Sequence, residues 1–292
     1  MSFLDTLKQL FSGNANALPI IDVEARFELL GRTGQGSMSK VWRARDRDSG
    51  RTVCLKILDR IKTEKFEGRF AGLKKPSEGE ICKLLKHENI VQTYEYGLTT
   101  EKEPYIIMEL VDGVGLSFLI ETKHQQLEGK RIEFLNQLAV GLDYMHKTGY
   151  LHRDLCPRNV MVTEEDVIKI IDLGLTIPYT PAFCKPGNRT GSTMYLAPEI
   201  IRRASTDHRV DLFALGVTAY EVFTGDTPWE KGESQKVLRA IVNNPPREPR
   251  ELRENVDEET AKFLVKAVDR NPGRRFQDTD EFRAALAKLP KQ

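Results

Sequence analysis

His152-Arg153-Asp154-Leu155-Cys156-Pro157-Arg158-Asn159 is the stretch on which the reading of this chain turns. It places a carboxylate and a carboxamide five positions apart. That pairing suits phosphoryl transfer, because an Asp can take the proton of an attacking hydroxyl while an Asn holds a metal ion on the transferring phosphate.

Working outward, Asp172-Leu173-Gly174 follows the apolar run Val167-Ile168-Lys169-Ile170-Ile171, thirteen residues after Asn159. An Asp at a strand end before Gly would alone read as a turn or N-cap residue, but its place after Asn159, with a short strand pair between them, makes it a candidate Mg²⁺ ligand. Upstream, Gly34-Gln35-Gly36-Ser37-Met38-Ser39-Lys40-Val41 is a glycine-rich turn before a strand, with Gly34, Gly36 and Ser37 as candidate phosphate-binding positions. Backbone N–H groups of such a turn can approach phosphate oxygens because no Cβ intervenes. Lys56 follows between Leu55 and Ile57, where an ammonium needs an anionic partner. The next helix offers two acids. Glu78 shares a face with Ile81 and Leu85, whereas Glu80 lies near Lys83 and points elsewhere, so Glu78 is the preferred partner.

The 292 residues suit one large domain or two modest lobes, and 30% charged with 40% hydrophobic residues fits a globular protein. A net charge of +1 supplies no global field toward nucleic acid or an acidic membrane. Arg43, Arg45, Arg47 and Arg51 alternate with acids and read as a solvated face. Cys54, Cys82, Cys156 and Cys184 form no C-x-x-C pair and no zinc-spaced cluster, which predicts a reduced, cytoplasmic setting. No apolar run reaches membrane-spanning length, and no signal peptide is evident.

Phe3, Leu4, Leu7, Leu10 and Phe11 fall at helical spacing, predicting a short amphipathic helix over residues 2–11. It either packs on the main domain or recruits a partner. From Phe27 to about Leu110 the texture is strand-like with one helical interruption. Strands are predicted at Lys40–Ala44, Thr52–Leu58, Ile90–Tyr96 and Tyr105–Leu110, with a helix over Ser77–Lys86. From Arg131 onward the pattern is helical, starting with 131–147, apart from two short strands at Val160–Val162 and Val167–Ile171.

Glycine loop, strand Lys, helix Glu, H-R-D-x-x-x-x-N and D-x-G, in that order, resemble the eukaryotic-like protein kinase family from about Phe27 to Leu289, closest in texture to bacterial Ser/Thr kinases. Ala197-Pro198-Glu199 looks like the family's A-P-E, Asp211 with Leu215-Gly216 like its D-x-x-x-L-G helix, and Arg275 like the partner of the A-P-E Glu. The resemblance implies an α+β bilobal fold with an extension over 1–26, a β-rich N-lobe over 27–112 and a helical C-lobe over 113–292. It also implies ATP and Mg²⁺ as cofactors and protein substrates as partners. By that similarity, Lys56 holds the α- and β-phosphates and pairs with Glu78, Asp154 orients and deprotonates the acceptor, and Asn159 and Asp172 bind Mg²⁺. Val41, Cys54 and Met161 sandwich adenine. Met108 is the gatekeeper, and Glu109 and Val111 give backbone hydrogen bonds.

The chain departs from the pattern inside its opening octet. The Lys that Ser/Thr kinases usually carry two residues after the catalytic Asp is Cys156 here, while Arg158 occupies the place where many tyrosine kinases supply a compensating Arg. Arg158 is therefore expected to replace the missing cation and to disfavour basic residues near the acceptor. Gly191-Ser192-Thr193-Met194-Tyr195-Leu196-Ala197-Pro198-Glu199 resembles the acceptor wall of Ser/Thr kinases, with Ser192 expected to place its hydroxyl beside Asp154. Arg153 belongs to a type that often clamps a phosphorylated loop, yet Pro181–Arg189 has no hydroxyl, so the loop is expected to be ordered by packing. The alternatives are a nucleotide-binding pseudokinase or scaffold, a tyrosine or dual-specificity kinase, and a small-molecule kinase of related fold. The last generally lacks the A-P-E segment and its Arg partner.

Overall fold

The computed structural model describes residues 18–35, 39–187 and 189–290. They fall into two compact units: the described residues of Met1–Lys86 with Val91–Val111, and those of His87–Ile90 with Asp112–Gln292. The helix expected over residues 2–11 lies outside the described residues, as do Gly36 and Ser37.

The first unit is built on a six-stranded sheet: β1 (Ile20–Ile21), β2 (Phe27–Gln35), β3 (Ser39–Asp46), β4 (Thr52–Leu58), β5 (Thr93–Thr99) and β6 (Pro104–Glu109). Their spatial order is β1-β5-β6-β4-β3-β2, antiparallel except for β1 on β5. Strand β4 shows why the sheet has two different faces. Side chains alternate along a strand, so Val53, Leu55 and Ile57 join Phe27, Ala44, Tyr105 and Ile107 in one apolar cluster. Full burial of Val53 and Leu55 contributes roughly 1.5–3 kcal/mol each. Cys54 and Lys56 therefore occupy the opposite face.

The helix Glu78–Leu84 starts with a reciprocal capping box between Ser77 and Glu80. It is not the unit's one helical interruption, as the periodicity suggested. A second helix spans Arg60–Glu67, capped by the Asp59 side chain on Lys62 N–H. Its polar sequence buries only Phe66, so no apolar stripe announces it. Strand β5 also starts later than expected, at Thr93; Ile90 instead forms an isolated bridge with Ile170 within the second unit.

The second unit is mainly helical. Helix Arg131–Lys147 matches the predicted limits. Helix Arg209–Thr224 is buried along its length and ends at Gly225, whose φ of 81° is the left-handed conformation that suits glycine at a helix end. More short strands are present than the expected pair. Strands β7 (Gly113–Gly115), β9 (Val160–Thr163) and β10 (Ile168–Ile170) form one small sheet, and β8 (Tyr150–Leu151) pairs with β11 (Ile177–Pro178). These pairings fold the chain so that the 152–159 loop and the Asp172 turn leave the same small framework. The β8 and β11 segments carry too few residues for a period-2 pattern to show in sequence.

Candidate active site

In the first unit, Val41 on β3 lies opposite Lys56 on β4, and Cys54 lies opposite Met108 on β6. Directly paired residues share a face and i, i+2 neighbours share it too. Val41, Cys54, Lys56 and Met108 therefore line one face of the sheet. Lys56 is 7% exposed, and its Nζ donates to Glu78 Oε1 at 2.6 Å. Glu80 instead accepts from Ser77 at the helix cap, which removes it from competition. Gly34 lies opposite Val41 at the end of β2. The Glu109 N–H donates to the Gln92 carbonyl at 2.9 Å, and its carboxylate accepts from Gln92 N–H at 2.8 Å. Burial pushes the Cys54 thiol up to about 11, so it stays protonated and packs as a small apolar group.

In the second unit, Asp154 is held from two sides. Its Oδ1 accepts from Ser192 N–H at 2.6 Å, and its Oδ2 accepts from Asn159 Nδ2 at 3.2 Å. Asn159 Nδ2 also donates to the Asp154 carbonyl at 2.8 Å. Both acceptors are oxygens, which fixes the amide orientation and leaves Asn159 Oδ1 as its remaining acceptor. Ser192 does not place its hydroxyl on Asp154 as expected. Its backbone N–H does that, and its Oγ accepts from Arg158 Nη2 at 3.3 Å. The cause is the approach of Gly191, whose φ of 130° and tight fit against the Arg153 carbonyl (2.9 Å from a Cβ placed there) exclude other residues.

The loop's path is set from the core. Asp211, 1% exposed, accepts from the N–H groups of His152 and Arg153, both at 2.8 Å, and from His146 Nε2 at 2.9 Å. Burial alone would raise the Asp211 carboxyl, but the hydrogen bond and charge of His146 outweigh it and hold the group below the usual carboxylate range. Arg153 takes a left-handed φ of 71°, a sparsely populated conformation for a non-glycine residue immediately before Asp154. Cys156 is 1% exposed, and burial pushes its thiol up to about 11. It supplies no charge to the site.

Ile171 N–H donates to the Asn159 carbonyl at 3.0 Å, so Asp172 begins one residue from that contact. Asp172 Oδ1 accepts from Gly174 N–H at 3.0 Å. Asn159 Oδ1 and the Asp172 carboxylate are both hard oxygen donors. Among the described residues no group of three or more His, Cys, Asp or Glu side chains could hold a metal by itself. One carboxylate and one amide oxygen fit a cation that keeps much of its coordination for water and phosphate.

Met161 lies in the centre of the small sheet, opposite Lys169 on β10 and Gly115 on β7. Beside Arg158 and Ser192 opens a cleft of about 430 Å³, whose wall includes Tyr195, Glu221, Ser234 and Val237. Sequence reasoning missed Glu221, which sits within the buried helix Arg209–Thr224. It is 7% exposed; Tyr195 Oη donates to it at 2.5 Å, and burial pushes its carboxyl up to about 7.

Below the loop, Arg275 and Glu199 meet through two parallel bonds of 2.7 and 2.8 Å, fully buried on the Arg side. That pair, joined to the Asp154 constellation, is reinforced by a sequence profile of the protein kinase domain that matches residues 27–286. The chain belongs to the protein kinase family. It is 33% identical over 269 residues to a probable serine/threonine-protein kinase of Clostridium perfringens, covering 91% of this chain and 38% of that protein. It is 32% identical over 276 residues to the serine/threonine-protein kinase PknB of Mycobacterium tuberculosis, covering 90% of this chain and 43% of that protein. The chain thus spans well under half the length of these curated relatives. Kinases of this family draw on ATP and a divalent metal. Among the described residues, no helix is long and apolar enough to cross a membrane.

Proposed function

We propose that this chain is an ATP- and Mg²⁺-dependent protein kinase that transfers the γ-phosphate to serine and threonine hydroxyls of protein substrates. The observation that carries this reading is the Asp154 carboxylate, fixed by Ser192 N–H and by Asn159, with the Arg158 guanidinium bound to the neighbouring Ser192 Oγ. Asp154 orients the acceptor hydroxyl and takes its proton. Arg158 supplies the cation that Cys156, buried and protonated, does not. Lys56, held by Glu78, contacts the α- and β-phosphates. Asn159 and Asp172 hold the metal, which when bound neutralises charge on the phosphoryl oxygens. Val41, Cys54 and Met161 contact adenine; Met108 is the gatekeeper, and Glu109 and Val111 meet the base through their backbones. Gly34, Gly36 and Ser37 are the proposed phosphate-binding positions.

Serine/threonine preference is supported by the Gly191–Glu199 segment and by the similarity to serine/threonine-protein kinases. A loop ordered without phosphorylation is supported by Tyr179, whose N–H donates to the Gly149 carbonyl at 2.7 Å and whose hydroxyl meets His208 Nδ1 at 3.1 Å. Buried Phe183 and Cys184 anchor the same segment. The four free cysteines fit a reducing, cytoplasmic compartment.

The test is transfer of labelled γ-phosphate from ATP to a generic protein substrate. Asp154→Ala is expected to lower the rate at least about 1,000-fold, and Arg158→Ala about 10- to 100-fold, or about 1.4–2.7 kcal/mol of barrier. Label that persists in Asp154→Ala refutes the enzyme reading. An unchanged rate in Arg158→Ala refutes the cation replacement alone.

A further inference from the structure

We propose that the C-terminal end of the Ser234–Asn243 helix is a docking surface for an acidic stretch of the protein substrate, an inference that rests on the kinase reading for its purpose. Arg202 Nη2 donates to the Val242 carbonyl at 3.2 Å, and Arg270 Nη1 donates to the Asn243 carbonyl at 2.6 Å. The two acceptors are consecutive carbonyls of one helix end, so the guanidinium groups lie within about 10 Å of each other. Exposed Arg239 is four residues before Asn243 and therefore on the same side of the helix. Exposed Arg203 follows Arg202.

Capping explains part of this arrangement, because the last carbonyls of a helix need donors. It uses one N–H of each fork, and a guanidinium has five. It does not explain Arg239. Some arginines of the same unit have acids, Arg209 with Asp207, Arg247 with Asp226, Arg250 with Glu248 and Arg283 with Asp280, while Arg131 and Arg253 spend donors on the Val222 and Phe223 carbonyls. Among the described residues Arg202, Arg203, Arg239 and Arg270 form no ion pair. Asp269, the nearest acid in sequence, turns its carboxylate to Asn271 N–H.

Position selects the occupant. The other end of this helix contributes Ser234 and Val237 to the cleft beside Arg158 and Ser192. Ten helical residues span about 15 Å. An extended peptide covers that distance in about four to five residues. A substrate that runs from the cleft along this helix thus needs at least about four or five residues between its acceptor and the stretch that meets the arginines. Arginine forks suit carboxylates, and a net charge of +1 gives no long-range attraction to nucleic acid or membranes.

The experiment uses the full chain and fluorescein-labelled peptides with one acceptor threonine and four glutamates starting four residues away, on either side. Matched peptides carry glutamine. Glutamate on one side is expected to lower both Kd, by anisotropy, and KM by about fivefold, a gain that shrinks as salt is raised. Arg239→Gln, which removes no helix cap, is expected to lose about half of that gain on a logarithmic scale, and the triple Arg202→Gln, Arg239→Gln, Arg270→Gln variant all of it. Equal binding of glutamate and glutamine peptides overturns the proposal, as does a gain that survives in the triple variant. Tighter, arginine-dependent binding to phosphatidylserine vesicles or poly(U) than to the glutamate peptide overturns the peptide assignment. If no peptide is phosphorylated, the kinase reading fails, while anisotropy still decides the docking surface.

Discussion

Two carboxylate–cation pairs, one in each unit, have opposite designs. Glu78 and Glu199 each stand in the first turn of a short helix, and each side chain is 11% exposed. The cations differ. Arg275 distributes its five N–H groups over Glu199 Oε1 and Oε2 and the carbonyls of Asp269, Arg209 and Arg270, and its guanidinium lies 4.8 Å from the Phe213 ring centre. Its donor capacity is used up within the fold, so it serves as a brace. Lys56 presents a compact, buried ammonium on the sheet face it shares with Val41, Cys54 and Met108, a point charge that can turn from Glu78 to an incoming phosphate. A saturated fork and a rotatable point charge therefore mark architecture and chemistry respectively.

The largest effect that could break this contrast concerns the brace. Arg275→Met leaves Glu199 buried and uncompensated, with an expected loss of about 3–5 kcal/mol in urea unfolding. A loss below about 1 kcal/mol would erase the distinction. Lys56→Met tests the other member. Phosphotransfer is expected to fall at least 100-fold, about 2.7 kcal/mol of barrier, with unfolding stability changed by only about 1 kcal/mol. Equal stability losses in the two variants would make Lys56 a brace as well.

A third buried carboxylate sharpens the comparison, because Glu221 meets a phenol and, among the described residues, no cation within ion-pair distance. Its pKa is raised to about 7 by burial, so the folded state holds a proton that the unfolded state releases above about 4.5. The stabilisation is fully present below about pH 4.5 and is lost as pH rises through about 7. Glu221→Gln is expected to remove roughly 3 kcal/mol of stability change between those limits, measured as the difference between the two proteins' pH–stability curves. Parallel curves would rule the titration out.

Sequence carried much of this, unevenly. Helix Arg131–Lys147 and strand β4 were legible because their burial patterns repeat over enough residues to set a period. The choice of Glu78 over Glu80 came from face geometry alone, and the Ser77 capping box accounts for the rejected candidate. Helix Arg60–Glu67 escaped because a single buried Phe66 makes no stripe; the only signal was Asp59 as a cap. Glu221 escaped because its partner Tyr195 lies 26 residues away, and nothing local marks a carboxylate inside an apolar helix as functional. The Ser192 contact was read with the wrong atom, since residue identity does not tell whether a hydroxyl or an amide faces Asp154.

The grip of Asp211 on two backbone amides bears on how freely this loop can change its composition. The amides of His152 and Arg153 are present whatever side chains those positions carry. The chain's course into Asp154 is thus independent of the letters that follow it. A buried cysteine at position 156 and an arginine at 158 could replace a more usual distribution of charge without the loop having to find a new shape. In mutational terms, the variable interior of the octet is insulated from its geometry by a contact 59 residues away in sequence.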